Sequence, residues 1–370
     1  MADANVYRKL RDKLSVTPMG APKGDDFLEI LSIIFTPEEA DLALVLPFIP
    51  APLAEIAEGA GMDVAGAEKI LNGMADKGVV YTFLYEGTPM YMLFTVLPGI
   101  FEFPVMKKSL PIDHERLHAL WRKYHKEGWE DMRKSKGYIS MGRVLPVEEE
   151  VSAKKEVLPR DIINKYIDEA KYISVGICSC RTVVGACDAP KEVCLGIGYG
   201  AKFLAERGIA RLIDKEEAKQ IIKKAHDAGL VSTATNTDEK IEFICNCCPC
   251  CCGMLGVATK HGRYDLRPVS AYLADVDDDA CTACASCEEV CPMRAIEVND
   301  AAVVDPEKCI GCGLCISKCP GEAIFLKKRI PEPKVYKDLR EWGTAAVAVK
   351  GTAEAFMKEL AVKPKHNKES

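Results

Sequence analysis

Between residues 25 and 105, apolar positions recur first at a helical period and then along two extended segments. Apolar residues over 27–35 repeat every three to four positions, which predicts a helix. Thr36 is followed by proline and two acids, a pattern typical of a helix start, and Asp63 is a capping residue behind the turn at Gly61. The predicted order is a helix over 27–35, a helix from 36, short helices over 53–60 and 63–77, and strands over 79–85 and 90–95.

Elsewhere the periodicity indicates mainly helices. Residues 1–24 predict a short charged helix and a Pro/Gly-rich connection, and residues 113–136 a long amphipathic helix. Asp214 and Glu217 form a capping-box pattern for a helix that ends near Gly229. We therefore predict an α+β, multidomain chain with a mostly helical Cys-rich middle. The expected units are 1–24 (helix and linker), 25–105, 106–270, 271–330 and 331–370 (a C-terminal extension).

Composition limits the class of protein. The chain has 370 residues, of which 48% are hydrophobic and 28% charged, and its net charge is −6. These values favour globular domains and disfavour binding to nucleic acid or to anionic lipid. The N-terminus is charged rather than apolar, and no stretch of about 18 apolar residues occurs, so we expect no signal peptide and no membrane insertion. A cytoplasmic location is expected.

The helix–turn–helix and hairpin pattern over residues 25–105 resembles a winged helix-turn-helix domain, which would imply DNA binding. Charge argues against that function. Residues 25–95 contain twelve acidic and two basic residues, whereas nucleic-acid-binding surfaces cluster Lys and Arg. We therefore expect this unit to dock a protein or to form a dimer.

Two copies of one cysteine pattern lie 28 residues apart near the C-terminus. The first reads Cys-x2-Cys-x2-Cys-x3-Cys-Pro, and the second repeats it with the same flanking residues. This is the spacing of bacterial ferredoxins, in which the last cysteine of each run ligates the other cluster. We predict two [4Fe–4S] clusters. Their ligands are Cys281, Cys284, Cys287 and Cys319 for the first cluster, and Cys309, Cys312, Cys315 and Cys291 for the second. A zinc site or a disulfide framework does not explain the duplication.

Ten further cysteines lie in two short segments. They are Cys178, Cys180, Cys187 and Cys194, and then Cys245, Cys247, Cys248, Cys250, Cys251 and Cys252. Cys245, Cys248 and Cys251 have the spacing of a three-thiolate loop, and the earlier segment can supply the fourth ligand. The candidate ligands of a third [4Fe–4S] cluster are Cys180, Cys187, Cys194, Cys245, Cys248 and Cys251. A fourth cluster, or a cluster with an open iron, is the alternative.

Two other patterns carry weaker chemistry. His114 and His118 are spaced i, i+4 on the long helix, which permits a shared face, but a polar solvated face explains them without a metal. The glycines at 196, 198 and 200 precede a helix without the spacing of a dinucleotide-binding loop. Neither pattern changes the assignment of metal-binding residues.

The cysteine segments together resemble a group of proteins of anaerobes, the dicluster [4Fe–4S] ferredoxin-type proteins. The resemblance rests on Cys178 to Pro190, on Asn246 to Gly253 and on the two ferredoxin runs. It implies electron transfer rather than a named reaction. The double-cysteine run is also similar to the cysteine-rich domains of heterodisulfide-reductase-type subunits, although the surrounding spacing differs.

The predicted function is therefore relay of low-potential electrons between a donor and an acceptor protein, as an electron-transfer subunit of an anaerobic oxidoreductase. The chain is expected to act in a complex or as a homo-oligomer, without nucleic acid. Two alternatives remain: an oxidoreductase with substrate chemistry at the third cluster, and a redox-sensing transcription regulator.

Overall fold

In the computed structural model, the described residues are 2–21, 23–134, 138–147 and 162–361. Helices and antiparallel strands alternate along this part of the chain, which confirms the mixed fold class. Parts of the predicted middle and of the C-terminal extension lie outside the described residues. No helix in the described ranges is both long and apolar enough to cross a membrane.

The N-terminal unit contains the elements that the apolar pattern predicted. Thr36 caps the third of its helices and forms a complete capping box with Glu39, while the Asp63 side chain accepts a hydrogen bond from Gly66 N. The helices are α1 (Ala2–Ser15), α2 (Asp25–Ile34), α3 (Pro37–Val45), α4 (Leu53–Ala60) and α5 (Val64–Asp76). Strands β2 (Val80–Tyr85) and β3 (Thr88–Leu93) form the hairpin, and the short β1 (Ala51–Pro52), which the sequence analysis missed, joins β3 at the sheet edge.

Aromatic side chains link this unit to the next two helices, α6 (Glu102–Met106) and α7 (His114–Lys134). Trp121 on α7 is fully buried and packs edge-on against Phe27 and Phe101, with ring centroids 6.1 and 5.0 Å apart. The long helix predicted over 113–136 therefore exists, and it closes the core of the N-terminal unit. Residues 135–136 of that prediction lie outside the described residues.

The middle of the chain contains a six-stranded antiparallel sheet, so the prediction of a mostly helical middle was incomplete. Its order is β4-β8-β9-β6-β5-β7. All five residues of β8 are buried, and so are four of the five in β5, which leaves no alternation of apolar and polar residues to signal a strand. The strands are β4 (Gly142–Val144), β5 (Ile173–Ile177), β6 (Glu192–Ile197), β7 (Arg211–Ile213), β8 (Val231–Thr235) and β9 (Phe243–Cys247).

Within the described part of the middle domain, five helices connect or flank these strands. The capping box predicted at Asp214 is present in part, since its side chain accepts a hydrogen bond from Glu217 N at 2.8 Å. The helices are α8 (Ile163–Glu169), α9 (Ser179–Val184), α10 (Tyr199–Glu206), α11 (Lys215–Asp227) and α12 (Gly253–His261). Both α9 and α12 begin directly after a cysteine, so the cysteine segments lie where strands turn into helices.

The ferredoxin-like unit has a twofold plan of strands around two cysteine loops. Strand β10 (Tyr272–Val276) pairs with β13 (Ile324–Lys328), and β11 (Ile296–Val298) pairs with β12 (Ala302–Val304). A short helix, α13 (Ser286–Val290), follows the first loop. Residues after the second loop form turns instead.

Two C-terminal helices return to the N-terminus. They are α14 (Leu339–Lys350) and α15 (Ala353–Ala361). Lys350 Nζ donates to the carbonyl oxygens of Ser15 and Thr17 at 2.7 and 2.8 Å, and Lys13 pairs with Glu359 at 3.1 Å. The first and last described helices therefore pack together.

Candidate metal centres

The two ferredoxin loops have positive φ angles at equivalent positions on both sides of the middle cysteine. A cubane loop must turn sharply on both sides of its middle cysteine so that three sulfurs point inward. Ala283 and Ala285 have positive φ angles of 53° and 61°, and Gly311 and Gly313, 28 residues later, have 66° and 81°. The duplication seen in the sequence is thus also a duplication of backbone geometry, and the first loop accepts strain that glycine avoids in the second.

Backbone amides point at the cysteine sulfurs in both halves. Ala295 N donates to Cys291 Sγ at 3.2 Å, and the equivalent Ala323 N donates to Cys319 Sγ at 3.3 Å. Such N–H···S hydrogen bonds stabilise negative charge on sulfur, and they are among the factors that set the reduction potential of a bound cluster.

The fourth cysteine of each run lies beside the other loop. Cys291 lines one small cavity together with Cys309, Cys312 and Cys315, and the remaining walls are mainly apolar. Cys319 is close enough to influence the Cys287 thiol, whose pKa is raised first by burial and then by neighbouring thiols that include Cys284 and Cys319. The structure therefore brings Cys291 together with Cys309, Cys312 and Cys315, and it places Cys284 and Cys319 near Cys287. The complete ligand sets, including Cys281, stay a prediction from the spacing.

The two loops differ in their exposure. Cys284 is exposed in the first loop, whereas Cys309 and Cys315 are buried in the second. Burial raises the pKa of the Cys312 thiol to about 12 and raises that of Cys315 as well. Thiolate formation at the second loop therefore requires a compensating cation, because a buried negative charge is costly.

The ten central cysteines separate into two groups. Strand β9 sends Cys245 and Cys247 to one face of the sheet, and the chain then turns, with Cys251 N and Cys252 N both donating to Cys248 O at 3.3 and 2.9 Å. One group, here called the four-thiol set, consists of Cys187, Cys248, Cys250 and Cys251. The other, the thiol row, consists of Cys178, Cys180, Cys194, Cys245, Cys247 and Cys252.

This division distributes the predicted ligands of the third cluster over both groups. Cys187, Cys248 and Cys251 lie in the four-thiol set, together with Cys250, which the spacing argument had left out. The other three predicted ligands lie in the thiol row, where Cys194 Sγ is 3.8 Å from Cys245 Sγ. The i, i+2 alternation of an extended strand was the signal that could have separated Cys245 from Cys248.

The thiol row is partly buried, with Cys178, Cys247 and Cys252 buried and the other three cysteines half-buried. Cys194 is hydrogen-bonded to Cys178 and Cys245, and Cys247 to Cys245 and Cys252, so the sulfurs follow one another as a chain. The pKa of the Glu102 carboxyl nearby is raised to about 7 by burial. Cys247 and Cys252 belong to the same apolar cluster as Cys287, Cys309 and Cys315 of the ferredoxin-like unit.

A buried arginine lies between the two groups. The Arg181 side chain is inaccessible to solvent, and its Nε donates to Cys248 Sγ at 3.5 Å. Its other nitrogens donate to the carbonyl oxygens of Pro190 and Asn246. The pKa of Cys248 is lowered to about 4, first by the hydrogen bond from Cys251 and then, against burial, by Arg181. The hydrogen bonds from Cys251 and Arg181 therefore favour the thiolate form of Cys248.

In the described residues, the fold does not turn the histidine pair or the glycine run into a binding site. The rings of His114 and His118 have centroids 6.0 Å apart, and His114 Nε2 lies 3.1 Å from the Leu110 carbonyl oxygen. Gly196 lies inside β6, where Ser174 leaves no room for a Cβ. Within the described ranges, the four-thiol set is the one group of three or more Cys, His, Asp or Glu whose ligand atoms all lie within 4.8 Å of one another.

Comparison with known proteins agrees with the geometry of the C-terminal loops. The family model described as a 4Fe-4S binding domain matches residues 274–297 and 302–325, which contain all eight ferredoxin-type cysteines. No curated protein matches the chain. The chain therefore carries a ferredoxin-type 4Fe-4S binding domain near its C-terminus.

Proposed function

We propose that this protein relays low-potential electrons between a donor and an acceptor protein, through two [4Fe–4S] clusters in the ferredoxin-type domain. The observation that carries the proposal is the crossed arrangement of the eight cysteines, with Cys291 beside the second loop and Cys319 beside the first. The first cluster is held by Cys281, Cys284, Cys287 and Cys319, and the second by Cys309, Cys312, Cys315 and Cys291. When bound, the clusters supply one-electron redox chemistry at low potential.

Exposure suggests the order of transfer. The first loop reaches the surface at Cys284, so a partner protein can approach that cluster closely. The second loop contacts the middle of the chain, where Val147 N donates to Cys312 O at 2.9 Å. We infer that electrons pass between the surface and the middle of the molecule through the first and then the second cluster, or in the reverse direction.

We further propose that the thiol row holds a third cluster. Five of its six sulfurs follow one another over a longer path than a single ion requires, and three of its cysteines pack near the ferredoxin-type loops. A cluster there continues the path of the other two into the sheet domain. The chain then acts as an electron-transfer subunit of an oxidoreductase rather than as the substrate-binding subunit.

Two observations favour a relay over the alternative functions. The cavity between β4, Asn236 and residues 267–271 has no cysteine in its walls, so it offers no substrate site beside the central thiols. In the N-terminal unit, one of the two basic residues, Lys77, is paired with Glu39 at 2.6 Å. That unit therefore offers little positive charge to DNA phosphates.

The N-terminal unit, which we interpret as a winged-helix-like module, is better suited to a protein partner. Leu84 and Tyr85 at the tip of its hairpin are 71% and 59% exposed, and Val64 at the start of α5 is 49% exposed. Exposed apolar side chains on an acidic surface favour docking of a protein with a complementary apolar and basic face. A second copy of the chain or another subunit of a complex can supply that face.

Metal and sulfide analysis of anaerobically purified, full-length protein tests the relay. We expect about eight iron and eight acid-labile sulfide per chain from the ferredoxin-type domain alone, and about twelve of each with the third cluster. Reduced protein should show electron paramagnetic resonance signals of [4Fe–4S]⁺ and should pass electrons to a one-electron acceptor protein. Cys284→Ala should lose iron and slow this transfer. Ser317→Ala in the second loop should do neither, because the Ser317 hydroxyl donates to the Leu314 carbonyl oxygen. Protein that binds only zinc would refute the proposal.

A further inference from the structure

The sulfur atoms of the four-thiol set lie closer together than those of the ferredoxin-type sites. Cys187 Sγ lies 3.7 Å from Cys248 Sγ and 3.9 Å from Cys251 Sγ, and Cys250 Sγ lies 3.8 Å from Cys251 Sγ. All four sulfurs lie within 4.8 Å of one another.

The ligand sulfurs of a single tetrahedral metal ion have this spacing. With metal–sulfur bonds of about 2.3 Å, tetrahedral geometry places neighbouring sulfurs about 3.8 Å apart. The three sulfur–sulfur distances given above agree with this value. A cubane separates its four cysteine sulfurs further, because four irons and four sulfides lie between them.

The ferredoxin-type loops provide an internal comparison. Their eight cysteines have the spacing and the family match of cubane ligands. All eight are described, yet no three of their sulfurs lie within 4.8 Å of one another. The same chain thus holds one arrangement wide enough for a cubane and another that is compact enough for one ion.

The surrounding backbone builds the compact arrangement from two segments. Cys248, Cys250 and Cys251 lie on the tight turn between β9 and α12, and Cys187 lies in the loop that follows α9. Gly185 ends α9 in the left-handed conformation, with φ of 63°. The Ala186 amide, next in sequence to Cys187, donates to the Cys251 sulfur. A metal ion would therefore join the two cysteine segments of the middle domain.

Charge provides a second, independent observation. Four thiolates and a divalent cation carry a net charge of −2, which is costly in a half-buried position. Arg181, fully buried, donates directly to Cys248 Sγ, and Lys260 Nζ donates to the Cys250 carbonyl oxygen at 2.6 Å. The protein thus places two cations beside the four-thiol set.

We propose that Cys187, Cys248, Cys250 and Cys251 bind one tetrahedral, thiophilic divalent ion, Zn²⁺ or Fe²⁺, and not a third cubane. Closed four-thiolate sites of this kind are structural, since they leave no open coordination position. The ion crosslinks the α9–β6 loop to the β9–α12 turn and so holds the neighbouring thiol row in place. This assignment does not depend on the proposed electron relay.

Acid-labile sulfide distinguishes one ion from a cluster, because a mononuclear site contains none. We expect Cys250→Ser in the full-length protein, purified anaerobically, to lose about one metal ion per chain and no sulfide. If the ion is zinc, zinc disappears and iron equals sulfide in the unmodified protein. If it is iron, iron exceeds sulfide by about one in the unmodified protein and equals it in the variant.

Two further variants keep the test decisive. Cys284→Ser, in the first ferredoxin loop, should lose iron without losing the single ion. Cys250→His preserves a zinc ligand and should retain the ion that Cys250→Ser loses, which separates loss of ligation from loss of folding. Retention of the [4Fe–4S]⁺ signals in both Cys250 variants checks that the rest of the protein is intact.

Two results would overturn the assignment. Loss of about four iron and four sulfide in Cys250→Ser would show that these thiols hold a cubane. Unchanged metal content in Cys250→Ser would show that they are buried thiols without a metal. Failure of the proposed relay would appear elsewhere, as missing iron and sulfide in the unmodified protein.

Discussion

At the scale of single residues, the backbone conformation of the ferredoxin-type loops restricts which residues can lie between their cysteines. Ala283 and Gly311 are equivalent positions, and both have left-handed φ angles. Their surroundings differ, because a Cβ on Gly311 would overlap the Tyr272 carbonyl oxygen and the Ser270 hydroxyl. Ser270 also donates to Gly311 O at 2.8 Å, which holds the loop against β10. Glycine at 311 is therefore required by both conformation and space.

We predict that Gly311→Ala destabilises the second loop strongly. The added methyl group must displace main-chain atoms, for which overpacking costs of about 1–3 kcal/mol are typical, in addition to the left-handed strain. We expect a lower midpoint in thermal unfolding and loss of iron from one cluster. Gly313→Ala is the matched control, because the nearest atom to its Cβ is Val147 N at 3.4 Å, so mainly strain is added there. Equal effects of the two substitutions would contradict this explanation.

At the scale of elements, helix α7 packs along the N-terminal unit and places a half-buried histidine beside the core of that unit. His125 packs edge-on against Phe101, with ring centroids 5.1 Å apart, one turn from the buried Trp121. Burial, followed by the positive charge of Lys260, lowers the pKa of His125 from 6.5 to about 4. The native state therefore keeps this ring neutral at pH values where the unfolded chain protonates it.

This shift predicts an acid-dependent loss of stability. Between pH 6.5 and about 4 the unfolded state binds more protons at His125 than the native state does, so the free energy of unfolding falls as the pH decreases. The loss is at most roughly 3.4 kcal/mol for a pKa difference of this size. His125→Phe should flatten the pH dependence in this range, measured by Trp fluorescence during thermal unfolding. Tyr124→Phe, which keeps His125, should retain the slope, and an unchanged slope in His125→Phe would refute the prediction.

At the scale of the whole molecule, the units are joined by polar contacts as well as by apolar cores. Arg207 on the middle domain pairs with Asp76 of α5 at 2.9 Å, and Lys107 donates to the carbonyl oxygens of both residues. The C-terminal helices pack on α1, and the ferredoxin-type unit shares an apolar cluster with β9 and α12. The metal sites are therefore held at fixed positions relative to the acidic N-terminal unit.

We predict that the full-length protein binds DNA no more tightly than a generic acidic protein does. Residues 25–95 have a net charge of −10, from twelve acids and two bases, and this charge repels phosphates. Fluorescence anisotropy with duplex DNA at low salt should show no saturable binding, whether the [4Fe–4S] clusters are reduced or oxidised. A sequence-specific complex with a steep salt dependence would instead favour the transcription-regulator hypothesis.

The sequence by itself determined the local features of this protein. Caps at Thr36, Asp63 and Asp214 act within a few residues, so their helices were predicted closely. The cysteine spacing of a ferredoxin run describes one tight loop, and its duplication predicted which distant cysteine completes each site. In both cases the decisive interactions are encoded within a short segment or a repeat.

Only the tertiary structure decided how the central cysteines are grouped. Strands β5 and β8 are buried on both faces, so these two strands left no periodic signal in the sequence. Because that sheet was unknown, the x2 spacing of Cys245, Cys248 and Cys251 indicated one loop, whereas strand geometry turns Cys245 away from the other two. Cys187 meets Cys248 across 61 residues, and Arg181 reaches Cys248 across 67. Such contacts depend on how the whole sheet is assembled, which spacing along the chain does not encode.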